Sequence, residues 1–568
     1  MLTKTQIKKL KTVDYSTTLW RLKELTYFNR TPQFNIIIFA YLLYNKAIHF
    51  ELESENIIKF CKALNMDDDV IAEFRLRELP TETWERLSSI RFPIEDLLAI
   101  VLFYEPYESL RYSGGGSITP ECINKLVLNL LKVQENDKVI DLFAGMGDFI
   151  VDAYCEEQNA NYFAKGISSI QTAIAKIRAE MLSKNITIEV SSTPYPKPEE
   201  GKYDKAFARY PLGIRLGSDN DMGELVRMMR RNDCSVWNFN QELAKCINDK
   251  GKAVAIMPSG RCINDSDKDL REDFVQNGLI EAIIQLPPRL FEAPNIEMCL
   301  VVFSHNNKDI MFVNAKDIYT RGRRTNCITD EQIVAIAKMT EAESENSKRV
   351  LCEELKANAF NLYPAKYLAK KIEIESGVRF ETIIKKIKRG AQIPATMLDD
   401  IISDVETNCQ YLMIANIQNG EIVGNLPYLK QIEERYEKYC IEDNNIVISK
   451  IGTPFKVAVV RVPEGKKILA NGNLYVIELT EDANPYYIKA FIESEIGNEL
   501  LDQASAGTHM KMISLDMLMK MQVPKPSIEK QNAFAKLYLE QAEKIKKLQE
   551  ELAKQTAKLK QLFGKMGE

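Results

Sequence analysis

The chain has 568 residues, of which 45% are hydrophobic and 27% are charged, and its formal net charge is −5. This length predicts about three or four domains, and the composition is typical of a soluble globular protein. No run of about 18 apolar residues occurs, so we expect a soluble, cytoplasmic protein without a membrane span. The net charge gives no overall sign of nucleic-acid binding.

Residues that commonly hold metals or form catalytic triads are scarce. The eleven cysteines are scattered singly, which indicates reduced thiols. The only histidines are His49, His305 and His509, which argues against a zinc site and against a Ser-His-Asp triad. We therefore expect no metal cofactor.

Residues 1–110 are predicted to form a helical domain. The segments STTLWRLKELTYF (16–28) and PTETWERLSSI (80–90) each place Ser, Thr or Pro before an apolar-periodic run. This is the pattern of a helix start. The segment's sequence indicates no particular function.

Residues 111–370 follow a different pattern, in which short apolar runs alternate with helical stretches such as SIQTAIAKIRAEML. The alternation predicts a Rossmann-like α/β domain with a mostly parallel sheet, whose ligands bind at the carboxyl ends of the strands. The predicted strands are 138–143, 162–167, 187–192, 203–208, 252–258, 280–287 and 299–305.

Residues 375–526 change to shorter strands with polar turns, such as LYVIEL, and predict a separate, β-rich α/β domain. Residues 527–568 predict one long helix with Gln555 in an otherwise apolar heptad seam. The apolar seam residues are Ile545, Leu548, Leu552, Leu559 and Leu562. The helix can lie on its own protein, or it can form an antiparallel or intermolecular coiled coil; both alternatives stay open.

Three short basic clusters contrast with the net negative charge. They are VRMMRR (226–231), RGRR (321–324) and KKIKRG (385–390). Each alone is typical of a solvated surface. They gain significance only where the fold places them on one face with other phosphate-binding groups.

A glycine-containing turn follows the first predicted strand. VIDLFAGMGDF combines a buried strand, Asp141, the pair Gly145-x-Gly147 and the start of a helix. Glycines let the backbone approach a ligand closely, and a helix amino terminus favours polar or anionic groups. A lone G-x-G can also be only a tight turn, and the longer dinucleotide-binding spacing is absent. The segment resembles the first motif of S-adenosylmethionine-dependent methyltransferases.

A longer series of segments resembles the modification subunit of type I restriction–modification systems, an adenine-N6 DNA methyltransferase family. SITPECINKLVLNLL, IDLFAGMGDF, EAIIQLPPRLF and NAFNLYPAKYL resemble successive motifs of that family. From IKRGAQIP to the trailing helix, the chain resembles the target-recognition domain of the matching specificity subunit. The resemblance covers about residues 112–568 and implies a fused protein of a DNA-defence system that binds double-stranded DNA.

The resemblance implies S-adenosyl-L-methionine as cofactor. Two departures lie in its pocket: Ser168 follows the second strand where the family has an acidic ribose ligand, and Asp148 replaces a glycine. The implied cofactor-binding positions are Ile118, Thr119, Pro120, Asp141, Phe143, Ala144, Gly145, Met146, Gly147, Asp148 and Ser168.

The family's catalytic motif is altered. The family has N-P-P-F/Y, in which Asn and a proline carbonyl accept hydrogen bonds from the target amino group and the aromatic ring stacks on the flipped base. This chain has Arg209, Tyr210, Pro211 and Leu212. Arginine has no acceptor, and its fixed charge opposes methylation of that nitrogen. Leu212 removes the stacking ring, and Tyr210 could replace it only in part. We therefore expect weak or absent methyl transfer.

Two functions therefore remain open. The chain is either a single-chain DNA adenine methyltransferase or a catalytically silent DNA-recognition subunit that acts with a partner enzyme. We expect homodimerisation, or binding of partner methylase or restriction subunits, through the C-terminal helix. In both cases the expected DNA contacts are Lys388, Arg389, Lys450, Thr453, Thr508 and Lys511.

Overall fold

The computed structural model describes most of the chain. The described residues are 2–27, 35–48, 57–63, 66, 68–74, 81–106, 119–167, 169–191, 196–210, 235–291, 296–368, 372–452, 454–505 and 512–564. They separate into two compact units, Met1–Leu368 and Ala369–Glu568. The helices before residue 104 belong to the same unit as the sheet that follows them, and the predicted boundary at residue 110 stays a prediction.

The first unit is built on a nine-stranded sheet. Its strands are β1 (Lys138–Asp141), β2 (Asn161–Gly166), β3 (Ile186–Val190), β4 (Tyr203–Arg209), β5 (Ile247–Pro258), β6 (Ile280–Gln285), β7 (Met298–Phe303), β8 (Asp309–Asn314) and β9 (Ser347–Leu351). Across the sheet their order is β3-β2-β1-β4-β5-β7-β6-β8-β9. Strands β7 and β9 run antiparallel to their neighbours, and all other pairs are parallel.

This architecture confirms the predicted α/β fold with a mostly parallel sheet. Each of the seven predicted strands is present, and β8 and β9 extend the sheet further. The helices of the unit are α1 (Lys4–Lys11), α2 (Ser16–Tyr27), α3 (Asn35–Ile48), α4 (Ile57–Ala63), α5 (Asp68–Glu73), α6 (Thr81–Ser89), α7 (Ile94–Phe103), α8 (Glu121–Leu131), α9 (Asp148–Glu156), α10 (Ser169–Leu182), α11 (Val236–Cys246), α12 (Lys268–Gln276), α13 (Asp330–Met339), α14 (Cys352–Ala357) and α15 (Pro364–Leu368).

Local sequence accounts for several of these boundaries. The Ser235 hydroxyl oxygen caps α11 by accepting a hydrogen bond from the Trp237 N–H, and the Ser235 N–H donates to the side-chain oxygen of Asn238. This reciprocal arrangement satisfies backbone donors that a helix start leaves free. Helices α2 and α6 confirm the two predicted helical segments. No helix among the described residues is both long and apolar enough to span a membrane.

The second unit contains a four-stranded sheet, a five-stranded sheet and two strand pairs. Its strands are β10 (Gly377–Arg379), β11 (Ile384–Arg389), β12 (Ile402–Ser403), β13 (Cys409–Leu412), β14 (Ile417–Gln418), β15 (Glu421–Ile422), β16 (Tyr428–Leu429), β17 (Cys440–Ile441), β18 (Ile446–Ser449), β19 (Val457–Val459), β20 (Lys467–Ala470), β21 (Leu474–Leu479) and β22 (Gln522–Pro524). The short strands fit the β-rich composition predicted for this part of the chain.

A long helix ends the second unit. The helices here are α16 (Ala395–Ile401), α17 (Glu434–Glu437), α18 (Pro485–Glu493), α19 (Glu495–Ser505), α20 (Leu515–Lys520) and α21 (Ile528–Gly564). The first turns of α21 pack on α18, where the buried Lys489 donates to Glu493 and to Tyr538. Its later seam side chains are exposed: Ile545 by 55%, Leu548 by 70%, Leu552 by 68% and Leu559 by 66%. The helix confirms the predicted element, and its pairing as a coiled coil stays a prediction.

Candidate functional site at the carboxyl ends of β1 and β4

The strand order reverses between β1 and β4. From β1 the chain adds β2 and β3 on one side, and β4 then returns to the other side. Both strands are parallel, with Asp141 opposite Phe207, so β1 and β4 end at the same edge of the sheet. A crevice at such a switch point is where open α/β sheets bind their ligands.

The turn after β1 contains two glycines with different surroundings: Gly145 faces open space, and Gly147 packs against α10. Gly145 and Gly147 have φ values of +51° and +83°. A Cβ atom on Gly147 would lie 3.1 Å from the Cβ of Ala175 on α10, whereas a Cβ on Gly145 would have nothing within 4 Å. The turn therefore packs tightly onto α10 and presents the backbone at Gly145 to open space.

Arg178 anchors this turn from inside the core. Its guanidinium donates to the carbonyl oxygens of Met146 at 3.1 Å, Val101 at 2.9 Å and Tyr104 at 2.9 Å. Val101 lies in the last turn of α7 and Tyr104 is its C-cap, where a cation also complements the helix dipole. The side chain thus ties the glycine turn to the end of α7.

Sequence reasoning did not identify Arg178. The available signal was its position four residues after Ile174, which places both on one face of α10. Both side chains are buried. A charged residue on the apolar face of a helix needs partners, and here the partners are main-chain carbonyls that a sequence does not reveal.

Arg209 ends β4 beside the turn. Its guanidinium lies 3.4 Å from the hydroxyl oxygen of Thr119 and 5.0 Å from the ring centre of Phe291. The backbone N–H of Thr119 donates to a carboxyl oxygen of Asp148 at 3.1 Å. The structure therefore brings together predicted residues from three segments, and adds Phe291, which the sequence did not single out.

Two carboxyls and one guanidinium share this crevice. Burial raises the pKa of Asp141 to about 8, and the nearby Asp148 acts in the same direction. Burial also raises the pKa of Asp148, although Arg209 and Arg178 oppose that rise. Burial lowers the pKa of Arg209 to about 10, while Asp148 and Asp141 act in the opposite direction. At neutral pH, Arg209 is therefore charged and Asp141 is largely protonated.

Tyr210 faces the interior. Its hydroxyl donates to Asn240 on α11 at 2.7 Å, and the side chain is only 1% exposed. Its ring stacks on Phe239 with centres 5.2 Å apart and meets the edge of Phe143 at the same distance. The expectation that Tyr210 could replace the missing aromatic stack is therefore wrong for this conformation, because packing and the Asn240 bond hold the ring in the core.

The other predicted cofactor positions lie around the same turn. Ala144 donates its N–H to the carbonyl oxygen of Lys165 at the end of β2, at 2.9 Å, and Pro120 precedes α8 as its N-cap. The predicted site residues outside the described residues are Ile118, Ser168, Pro211, Leu212, Thr453, Thr508 and Lys511.

The predicted DNA-binding residues that are described belong to the second unit. Lys388 donates to the carbonyl oxygen of Cys440 at 2.6 Å, so its ammonium group is held by the protein. Lys450 follows β18 and is half-buried, and its N–H donates to Asn473 at 2.7 Å. Arg389 is exposed at the end of β11 and is the most accessible of the three.

Comparison with known proteins bears on the first unit. Residues 105–376 match the N-6 DNA Methylase family. This segment makes up just under half of the chain. It contains the glycine turn, Arg209 and all nine strands of the sheet. The match confirms the resemblance to DNA methylases for residues 105–376. The fusion to a target-recognition domain stays a prediction.

Relatives of this chain include methylase subunits of type I restriction enzymes. The MjaVII methylase subunit of Methanocaldococcus jannaschii is 25% identical over 329 residues, which cover 51% of this chain and 56% of that protein. The MjaIX methylase subunit of the same organism is 29% identical over 309 residues, covering 48% and 55%. The chain thus spans about half the length of these relatives.

Solved structures with a similar fold have low sequence identity. The type I restriction–modification methyltransferase subunit from Streptococcus thermophilus is 13% identical, with a TM-score of 0.44, and covers 63% of this chain and 98% of that one. The type IIG restriction endonuclease BpuSI is 12% identical, with a TM-score of 0.47, covering 93% and 75%.

Proposed function

We propose that the chain is a DNA-binding, adenine-N6 methyltransferase-type protein of a restriction–modification system, with weak methyl transfer by itself. The observation that carries the proposal is that the matched N-6 DNA methylase segment includes the complete β1–β4 switch point. That crevice is where an α/β sheet of this kind holds its ligand.

The residues around the turn fit S-adenosyl-L-methionine. The open side of Gly145 leaves space for a ligand against the backbone. Asp141 and Asp148 suit the cationic groups of the methionine portion, because a neighbouring cation favours the ionised form of both acids, and Arg209 suits its carboxylate. When bound, the cofactor supplies an electrophilic methyl group. The remaining work of the domain is to hold a target base beside Arg209.

Arg209 is the reason to expect weak transfer. At this position a methylase needs an oxygen that accepts a hydrogen bond from the adenine amino group, and a guanidinium has only donors. Its positive charge also opposes the charge that develops on the amino nitrogen as it is methylated. With Tyr210 buried, neither the acceptor nor the stacking ring is supplied by the described part of this motif.

A second candidate function follows from the same side chain. In it, the methylase domain is catalytically silent, and the chain supplies DNA recognition to a partner enzyme. The second unit would be the target-recognition domain, and the exposed seam of α21 would pair with another copy or with a partner methylase or restriction subunit.

The deciding experiment is detection of N6-methyladenine in DNA from a methylation-free bacterial host that expresses this chain alone. Methyladenine at one defined motif supports the transferase. A chain that binds duplex DNA and leaves it unmodified supports the silent recognition subunit. A chain that neither binds nor modifies DNA contradicts both candidates.

A further inference from the structure

An arginine-rich loop follows β8. Thr320 and Cys327 exchange backbone hydrogen bonds of 2.8 and 3.0 Å and so close the loop 321–326. We call this segment the arginine loop; it contains Arg321, Arg323 and Arg324, all exposed. It is the basic cluster RGRR, to which the proposed function assigns no role.

The arginine loop is fastened to the turn that follows β6. Asn326, only 6% exposed, donates its backbone N–H to Arg289 and its amide nitrogen to Pro288, both at 2.7 Å. Arg289 in return donates from its guanidinium to the carbonyl oxygen of Arg324 at 2.8 Å. These bonds place a fourth exposed arginine beside the loop. We call Arg289, Arg321, Arg323 and Arg324 the arginine patch.

The loop has a defined shape. A Cβ atom on Gly322 would lie 1.9 Å from the carbonyl oxygen of Thr325, so the close approach of these two residues requires glycine. A fixed backbone loses less entropy when its side chains bind a ligand. This distinguishes the arginine patch from scattered surface cations.

The patch also lies at the edge of the sheet that carries the candidate site. Strand β7 is antiparallel to both β5 and β6, so β6 runs in the same direction as β5, and β8 is parallel to β6. Because β5 is parallel to β4, the carboxyl ends of β6 and β8 lie at the same edge of the sheet as those of β1 and β4. Only Leu290 separates Arg289 from Phe291, whose ring contacts the Arg209 guanidinium. A ligand on the patch is therefore a direct neighbour of the crevice.

No carboxylate within the described ranges forms an ion pair with these four arginines. Some other exposed cations of the unit are ion-paired: Lys132 pairs with Glu341, and Arg349 pairs with Asp309. Guanidinium groups without a carboxylate partner have forks that match phosphate oxygens. The four arginines concentrate positive charge on one surface of a chain whose net charge is −5.

We propose that the arginine patch binds the phosphate backbone of duplex DNA and positions it beside the crevice. The proposal rests on the proposed function for its choice of partner, because the site next to the patch is that of a DNA methylase domain. Backbone contacts of this kind fix the register of a protein on the duplex and carry no sequence information.

The test is a salt series of duplex-DNA binding by the full chain, followed by fluorescence anisotropy. The variant carries Arg321→Gln, Arg323→Gln and Arg324→Gln. Each phosphate contact contributes about −0.9 to the slope of log affinity against log salt. We therefore expect the slope to become shallower by about two to three, with affinity at low salt reduced roughly tenfold or more.

The matched control carries Lys138→Gln, Lys250→Gln and Lys308→Gln. These exposed lysines lie at the amino-terminal ends of β1, β5 and β8, at the opposite edge of the sheet, and the control changes the net charge equally. It is expected to keep the parent slope. A third variant with the same three arginines changed to lysine is expected to retain the slope and lose only part of the affinity, because it keeps the charge and loses the fork.

The outcomes separate this inference from the proposed function. A parent chain that binds duplex DNA, with an arginine variant of unchanged slope, overturns the patch and leaves the proposed function intact. A parent that binds no DNA overturns both. Tighter, arginine-dependent binding of single-stranded RNA overturns duplex DNA as the partner. Thermal unfolding of each variant confirms that it is folded.

Discussion

The guanidinium of Arg209 lies over the ring of Phe291, with its central carbon 5.0 Å from the ring centre. An arginine in this position interacts with the negative face of the aromatic ring. The contact joins the end of β4 to the turn after β6, on the side of the crevice where the altered motif begins. The contact gives Arg209 an aromatic partner on that turn.

We expect the double substitution Arg209→Asn and Leu212→Phe to increase adenine methylation. It restores an acceptor for the amino group and an aromatic residue at the last position of the motif. The measurement is transfer of labelled methyl groups to duplex DNA, with an expected gain of at least tenfold, which corresponds to a lowering of the activation free energy by about 1.4 kcal/mol. Arg209→Lys is the control, because it keeps the charge. Equal activity in all three proteins would mean that this segment does not contact the base.

Replacing Arg178 should destabilise the first unit. Arg178→Met leaves the carbonyl oxygens of Met146, Val101 and Tyr104 without this donor, and each lost buried bond costs about 1–3 kcal/mol. We expect a loss of roughly 3 kcal/mol or more in the free energy of unfolding, measured by urea denaturation. The exposed Lys184→Met is the control and should change it by less than about 0.5 kcal/mol. A small effect of Arg178→Met would show that water replaces the guanidinium.

The buried Asp141 should make stability depend on pH. Its pKa is raised to about 8 in the folded protein, against about 3.9 in an unfolded chain. The folded state therefore keeps a proton that the unfolded state releases, so this contribution is fully present below about pH 4 and is lost as pH rises to about 8. Asp141→Asn should flatten the decline between pH 5 and pH 8 in urea denaturation. A decline of the same steepness in the variant would assign it to other groups, such as Asp148.

The exposed seam of α21 should mediate self-association. Leu548 and Leu552 are 70% and 68% exposed, and heptad seams of this kind pair with another helix. We expect sedimentation to detect a dimer that Leu548→Glu with Leu552→Glu weakens at least tenfold, since burying an unpaired charge costs several kcal/mol. Gln549→Glu with Ala553→Glu adds the same charge outside the seam and should leave the dimer intact. A strict monomer with and without DNA would remove this expectation.

The sequence was sufficient for the framework of the first unit. Runs of apolar residues separated by helical stretches identified β1 to β7, because strands that are covered on both faces of a sheet are apolar on both faces. Strand β9, with the sequence SKRVL, was missed because it is a short edge strand with only two buried residues, Ser347 and Val350. Strand β8 was missed because a run as short as IMFV does not distinguish strand from helix.

The composition of the site was less accessible to sequence reasoning than its location. The glycine turn and Arg209 were found from their positions after strands. The orientation of Tyr210 was not, because it depends on Asn240 and Phe239 from a helix that is distant in sequence. The arginine loop was visible as a basic cluster, but its attachment to Arg289 depends on main-chain bonds that only the fold brings together.

The anchoring of the glycine turn has a consequence for how this protein tolerates sequence change. Arg178 binds Val101, Tyr104 and Met146 only through their main-chain oxygens, and every amino acid carries such an oxygen. These three positions can therefore exchange side chains of suitable volume without losing the anchor. Of the four residues that link α7 to the glycine turn, Arg178 is the one whose side chain must be retained.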